Sequence, residues 1–331
     1  MKLNVIIPTY NRAASLKKTL LSLANAELPP DFEVVVTVVN NNSTDATAQA
    51  VEEMRALLAD KRLEYLFEEK QGRSFALNTG IKKANGDLLT TVDDDIQVAA
   101  NWFVEIEKIF RARWNEVDFV GGKMLPDWEN EQIPKWIEPL KDGVIGWRDY
   151  GEKEWRYAED TPMLTGGHAI FKREIFDAIG LFAEGVGATG KNLMSCEDDI
   201  LYDKLLSAGK RGVYCPQLVV YHFVPQYRVS KSYYRQWCFG AGMSWNVLDS
   251  HYKAFEGARI FGVPRYLYRQ VCGDLIGKIK TAIARNESES LARENKILVF
   301  AGFFYARNLK GGWLDKPLQS IVKRTVKAAE R

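Results

Sequence analysis

The chain has 331 residues, of which 46% are hydrophobic and 27% charged, and its net charge is +2. These are the proportions of a globular protein with one large or two smaller cores, and they set aside disordered and fibrous classes. The small net charge hides an asymmetry: from Lys253 onward 16 Lys or Arg face 7 Asp or Glu, while the preceding residues hold 29 against 36. A basic tail behind an acidic body suits an anionic partner, and a membrane surface is one.

Strand and helix signals alternate along the first half. Leu3 to Ile7 is a short apolar run stopped by Pro8, and Ala13 to Leu23 carries Leu16, Leu20 and Leu23 at helical spacing. Phe32 to Val39 reads as a buried strand, and Ser43-Thr44-Asp45 opens a helix that runs to about Leu58. Leu63 to Phe67 is a third strand, Phe75 to Ala84 a helix, and Asp87 to Val92 a fourth strand. A further helix is expected near Val98 to Arg111. This alternation predicts an α/β fold with a doubly wound, mainly parallel sheet, whose ligands bind at the carboxyl ends of the strands.

The middle is irregular. Met124 to Tyr157 reads as a long excursion, and its Trp128, Trp136, Trp147 and Trp155 either stack on ligand rings or form its core. Thr161 to Phe171 returns to a strand pattern containing Gly166-Gly167, and a short helix starts at Lys172 and ends near Gly180. Ala183 to Ser195 is a glycine-containing loop, Glu197 to Ala208 a helix, and Val213 to Phe223 a strand. From Ser230 the pattern is helical and aromatic. Two domains are expected, 1–250 and a helical basic extension 251–331.

The four cysteines form no C-x-x-C pair, so a zinc or redox motif is not indicated, and sparse thiols fit a reducing compartment. No charged-then-apolar leader precedes the first strand. The longest apolar run of the tail, Ile297 to Ala306, is half of the ~20 residues that cross a bilayer. The expectation is a cytoplasmic protein that attaches peripherally at the inner membrane face.

Asp93-Asp94-Asp95 follows the apolar run Leu88 to Val92. Three adjacent carboxylates need solvent, a helix N-terminus or a cation to offset their repulsion. If the strand continues, Asp93 and Asp95 point the same way, and oxygen ligands so placed suit Mg2+ or Mn2+ holding a phosphate. The alternative is a solvated strand end whose last Asp caps the next helix. Glu197-Asp198-Asp199 opens a helix, where Ser195-x-x-Asp198 also fits a capping box.

Taken together, these segments resemble the family 2 glycosyltransferases of the GT-A fold, the inverting, metal-dependent type that uses nucleotide sugars. The resemblance spans about Met1 to Ser244. It is carried by Val5-Ile-Ile-Pro-Thr-Tyr-Asn-Arg12, Val39-Asn-Asn-Asn-Ser-Thr-Asp45, Gly72 through Gly80, Asn85-Gly-Asp87, the Asp triplet, Cys196-Glu-Asp-Asp199 and His222. What it implies is a nucleotide-sugar donor, expected to be UDP-linked, and a glycan or lipid-linked acceptor hydroxyl. A Mn2+ or Mg2+ cofactor is also implied, and nucleic acid is not among the expected partners.

By the same resemblance Pro8, Tyr10 and Arg12 lie against the nucleobase. Arg73 reaches the diphosphate or base edge, and Asp93 and Asp94 serve the donor. Asp95, Asp93 and His222 hold the metal. Asp198 is the base, with Glu197 or Asp199 orienting the acceptor, and Gly166 and Gly167 admit sugar or acceptor. The family has an acid where this chain has Asn41, whose amide offers a donor and an acceptor to a base. A nucleotidyltransferase is the second enzymatic reading, although Pro8 to Arg12 is not its Gly-rich basic loop. A degenerate, membrane-bound transferase-like partner is the non-enzymatic one.

Overall fold

A computed structural model describes residues 1–58, 61–130, 133–140, 144–186, 196–252 and 255–311. The chain divides into two compact units. The first comprises Met1–Asp127, Gly146–Gly190 and Glu197–Phe223, and the second comprises Trp128–Ile145, Lys191–Cys196 and Val224–Arg331. The helical unit therefore reaches back well before residue 251 and takes in part of the Trp-rich excursion.

In the first unit, β1 (Lys2–Thr9), β2 (Glu33–Asn40), β3 (Arg62–Phe67) and β4 (Leu88–Val92) pair in parallel in the order β3-β2-β1-β4. Helices α1 (Ala13–Asn25), α2 (Thr47–Met54) and α3 (Arg73–Lys83) make the crossovers. Side chains alternate across the sheet. Leu3, Val5 and Ile7 join one core with Leu16 and Leu20 of α1, whereas Ile6 joins the other with Ala76 and Leu77 of α3. Gly80 lets α3 come close, since a Cβ there would stand 2.5 Å from Ile6 Cγ2.

The sheet turns antiparallel beyond β4. Its further strands are β5 (Ile96–Val98), β6 (Phe119–Trp128), β7 (Trp155–Arg156), β8 (His168–Lys172) and β9 (Gly212–Val224), continuing the order as β4-β8-β6-β9-β5 with β7 on β9. Helices α4 (Trp102–Arg113), α5 (Ile175–Ile179) and α6 (Glu197–Ser207) cover this half. The α/β architecture is as expected, but β5 and β6 were not, and the helix after the Asp triplet starts only at Trp102 once β5 has intervened. Asp95 therefore does not cap it.

The second unit contains a 3-10 turn at Lys135–Leu140, α7 (Lys231–Tyr252), a hairpin of β10 (Arg259–Ile260) and β11 (Val263–Pro264), α8 (Arg265–Ile283) and α9 (Glu287–Asn308). Two glycines bring α7 and α9 together: a Cβ at Gly242 would run into the Val299 carbonyl, and one at Gly302 into the Phe239 carbonyl. Asp249, buried on α7, binds Arg259 of the hairpin at 2.7 and 2.8 Å and also pairs with Arg307. Phe303 and Tyr305, in the apolar run Ile297 to Ala306, are buried, and Phe300 and Phe304 lean on Val263, Leu267 and Phe303. Among the described residues no helix is long and apolar enough to cross a membrane.

The tryptophans of the excursion prove to be packing residues where their contacts are defined. Trp155 stacks on Tyr214 at 5.0 Å and meets Tyr150 and Tyr157 edge-on, while in the other unit Trp136 meets Tyr234 edge-on.

Candidate active site

The carboxyl ends of β1, β2 and β4 are stitched to one another by side chains. Asn11, at φ 53°, accepts from the Thr44 N–H at 2.7 Å and the Asp45 N–H at 3.3 Å. Asp45 in return accepts the Ala13 N–H at 3.0 Å, supplying a partner to the first turn of α1. Asn11 thus fastens the β2 loop rather than capping its own helix. Pro8 is buried in β1, and Tyr10 is exposed beyond its end.

Asn41 is buried, and its amide is fully engaged. Its Nδ2 donates to the carbonyls of Glu68 (3.2 Å) and Lys70 (2.6 Å), and its Oδ1 accepts the Gly72 N–H at 2.7 Å. The groups expected to read a nucleobase instead hold the loop 68–72, whose last residue precedes Arg73.

Asp93, Asp94 and Asp95 do not continue the strand. β4 ends at Val92, and the Ile96 N–H closes a turn on the Asp93 carbonyl at 3.1 Å. The alternation that would set Asp93 beside Asp95 therefore does not apply, and the three side chains divide. Asp94 and Asp95, both buried, share Arg12, whose Nη1 lies 3.0 Å from Asp94 Oδ1 and 2.9 Å from Asp95 Oδ2. Thr9 Oγ donates to the other Asp94 oxygen at 2.8 Å. Burial pushes the Asp94 carboxyl up to about 6; Arg12 opposes the rise and Asp95 adds to it.

Asp95 also lies beside His222. Ile96 pairs with His222 in the β5–β9 register, and His222 Nε2 is 3.6 Å from Asp95 Oδ2. Of the expected metal trio, Asp95 and His222 stand together, and Asp93 faces elsewhere. Among the described residues no group of three His, Cys, Asp or Glu side chains is placed to hold a metal ion. The donor set still fits a hard cation that takes its other ligands from a substrate. One carboxylate and one imidazole is a small protein share, and Mg2+ sites commonly use one or two carboxylates with substrate phosphates.

Asp93 faces Arg73, the first residue of α3. Arg73 Nε is 3.0 Å from Asp93 Oδ1, while Nη1 reaches Glu197 Oε1 at 3.2 Å and Asp198 Oδ1 at 3.1 Å. Only 15% of the Arg73 side chain is exposed. Burial works against its charge, but Asp93, Asp198 and Glu197 more than offset this and hold the guanidinium protonated.

The first two of the three acids that open α6 differ in access: 4% of the Glu197 side chain is exposed against 25% for Asp198. Burial raises Glu197 to about 7, with Arg73 pulling down and Asp198 pushing up. Asp199 rises to about 6, first through burial and then through Asp198, and Arg148 partly counters this. Ser195, the other half of the possible capping box, lies outside the described residues, as do Gly187 and Gly190.

Gly166 and Gly167 sit against these acids. The Gly166 N–H donates to Asp198 Oδ2 at 3.1 Å, and Thr91 Oγ donates to the Gly166 carbonyl. A Cβ at Gly166 would collide with the Asp198 carboxylate, and one at Gly167 would sit 2.5 Å from Asp93 Oδ2. These glycines fit the chain around carboxylates. His168 belongs to the core, with Nε2 accepting the Trp102 indole N–H at 3.1 Å and burial lowering its pKa to about 3. Asn78 bonds reciprocally with the Phe182 backbone at 3.0 Å, a packing contact.

Thr9, Thr91 and Arg148 had no role in the sequence reading. Thr9 and Thr91 are polar residues near the ends of apolar strands, a signal that was available. Nothing local marks Arg148, because its neighbour Asp199 is distant in sequence.

A family model described as "Glycosyl transferase family 2" matches residues 4–180. The chain is 26% identical over 250 residues to Glycosyltransferase AglE of Haloferax volcanii, covering 71% of this chain and 73% of that one. It is 35% identical over 96 residues to a GalNAc(5)-diNAcBac-PP-undecaprenol beta-1,3-glucosyltransferase of Campylobacter jejuni, covering 28% of this chain and 29% of that one. Its fold is similar to that of the mannosyltransferase PcManGT of Pyrobaculum calidifontis, solved with GDP-Man and Mn2+: the TM-score is 0.53 at 20% identity, over 98% of this chain and 79% of that one. The match over more than half its residues, on a sheet that gathers its acids at strand ends, makes this chain a member of glycosyl transferase family 2.

Proposed function

We propose that the protein transfers a sugar from a nucleoside diphosphate donor to an acceptor hydroxyl with inversion at the anomeric carbon. The observation that carries this reading is Arg73, one guanidinium joining Asp93, the first acid after β4, to Glu197 and Asp198, the first two acids of α6. The donor would lie along the ends of β1 and β4, against Tyr10, Arg12 and the Asp turn. Asp95 and His222 would hold a divalent cation, which when bound neutralises charge on the leaving diphosphate.

Asp198 is the base in this reading. It is the acid of the Arg73 cluster on α6 with the more exposed carboxylate, and Arg73 and the Gly166 N–H orient it. As the acceptor oxygen bonds to the anomeric carbon, its proton passes to Asp198 and the nucleoside diphosphate departs with the electrons of the broken C–O bond. Glu197 is too enclosed for that task and serves as a buried partner of Arg73. Asp199, on the Arg148 side, orients the acceptor.

The Asn41 amide does not select the donor's nucleobase in this reading, because it is engaged by loop 68–72. The related proteins include one solved with GDP-Man and a dolichol-phosphate mannosyltransferase of Pyrococcus furiosus, 30% identical over 146 residues. UDP- and GDP-sugars should be screened together by thermal shift with Mn2+, since ligand at 100 times its Kd adds about 2.7 kcal/mol. Turnover should then release nucleoside diphosphate and stop with a chelator. Release of pyrophosphate from a nucleoside triphosphate supplied with a sugar phosphate would favour nucleotidyl transfer, and binding without turnover would favour a degenerate partner.

Two substitutions probe the site. Asp95→Ala is expected to weaken Mn2+-dependent donor binding by roughly 100-fold or more, given that residues merely supporting a ligand reach that scale. Calorimetric titration with and without the metal checks it, and unchanged affinity would remove Asp95 from the cation site. Gly166→Ala should displace the Asp198 carboxylate and lower kcat while donor affinity holds. Wild-type turnover in that variant would show that Asp198 need not sit against the Gly166 N–H.

A further inference from the structure

One face of α8 is exposed and apolar. Leu275 is 48% exposed, Ile276 56%, Ile279 62% and Ile283 79%. Steps of three and four residues set Ile276, Ile279 and Ile283 in one stripe, with Leu275 and the exposed Cys272 beside it. The hairpin before α8 presents Phe261 at its turn, 74% exposed and held at φ 47°. A turn that puts phenylalanine in a left-handed backbone and leaves its ring in water is not explained by packing.

The charges beside this surface are mainly positive, the exposed acids Glu256 and Glu287 lying outside α8. Arg265, Arg269, Lys280 and Arg285 are all exposed. The acid of α8, Asp274, is buried and bound to Arg293 at 3.0 Å. Between residues 255 and 286 the one exposed acid is Glu256. We infer that Phe261 and the Ile276–Ile279–Ile283 stripe form a docking surface for an anionic lipid membrane, with α8 lying in the plane of the headgroups.

Charge complementarity selects this occupant. A second copy packed by two-fold symmetry would set these cations against themselves. The chain's own residues 312–331 are also basic, with five Lys or Arg against two acids. An anionic headgroup layer meets both demands, because it neutralises the cations and takes the isoleucines into its acyl boundary. The surface is distinct from the aromatics of α9, of which Phe303 and Tyr305 are buried inside the helical unit. It stands on observations independent of the proposed reaction.

The test is flotation of the full-length protein with phosphatidylcholine vesicles, pure or containing phosphatidylglycerol, at low and high salt. Binding is expected on the mixed vesicles at low salt, weakening with salt. Ile276→Ser with Ile279→Ser, and separately Arg269→Glu with Lys280→Glu, should each reduce partitioning by roughly tenfold or more. These side chains are exposed, so circular dichroism melts should match wild type. A polarity-sensitive dye on Cys272 should shift to the blue on mixed vesicles.

Absence of flotation, or flotation unchanged in both variants, overturns the inference. So does loss of flotation in Lys323→Glu with Arg324→Glu while the α8 variants still bind, which would assign docking to the C-terminal segment. Sedimentation without lipid covers the last case: a dimer dissolved by the serine variant would assign the face to a second copy.

Discussion

Asp198→Asn is expected to abolish transfer while nucleotide affinity stays at the wild-type level. The amide has the shape of the carboxylate but cannot take a proton from the acceptor, and general-base catalysis typically contributes about 10²- to 10⁴-fold. Its oxygen can keep only one of two present partners, Arg73 Nη1 at 3.1 Å or the Gly166 N–H at 3.1 Å. The orphaned contact should cost about 1–3 kcal/mol, a stability loss visible in melting but too small to unfold the unit. The informative measurement is therefore the split between kcat and donor Kd. A variant that turns over at the wild-type rate would leave Asp198 as an orienting group at a helix terminus, and the base would have to be sought at Asp199.

The parallel half of the sheet was legible because β1, β2 and β4 are buried on both faces and so read as apolar runs. The antiparallel half was not. β5 has three residues, too few for a pattern. β6 opens Phe119-Val120-Gly121-Gly122, and glycines argue against a strand on propensity alone. The structure supplies the reason for them: a Cβ at Gly121 would strike the Tyr157 hydroxyl, and one at Gly122 the Leu218 carbonyl. Such reasons lie in partners remote in sequence.

The site shows the same division. The Asp triplet and the acids at the start of α6 stand out as clustered charge in any window. Their geometry was not readable, because it depends on whether β4 runs on through Asp93 or turns. The turn sends Asp93 to Arg73, and Asp94 and Asp95 to Arg12. Asn41 was misjudged for a related reason: an amide can serve its own chain as well as a ligand, and only the neighbouring carbonyls of Glu68 and Lys70 reveal which.

The joint at Arg73 makes the strongest demand on stability. Arg73→Met keeps much of the aliphatic volume but leaves Asp93, Glu197 and Asp198 without their shared cation. Removing one partner of a buried ion pair costs about 3–5 kcal/mol, mostly because the remaining charge stays desolvated. The pH dependence identifies the group responsible. Glu197 already has a folded-state pKa raised from 4.5 to about 7, so it favours the folded state when protonated. That contribution is complete below 4.5 and is lost as pH rises through about 7. Without Arg73 its pKa rises further, and at alkaline pH the fold must either bury a bare carboxylate or capture a proton. The gap in melting temperature between wild type and Arg73→Met should therefore be wide above pH 7 and narrow toward pH 5. Glu197→Gln added to Arg73→Met should close most of it, since a neutral amide needs no counter-charge. The lower melting transition is the one to follow, because two compact units need not unfold together. A gap of equal size at both ends of the pH range, or a double variant no more stable than the single one, would mean that Arg73 acts through packing, and the carboxylates at the start of α6 would then owe their burial to some other partner.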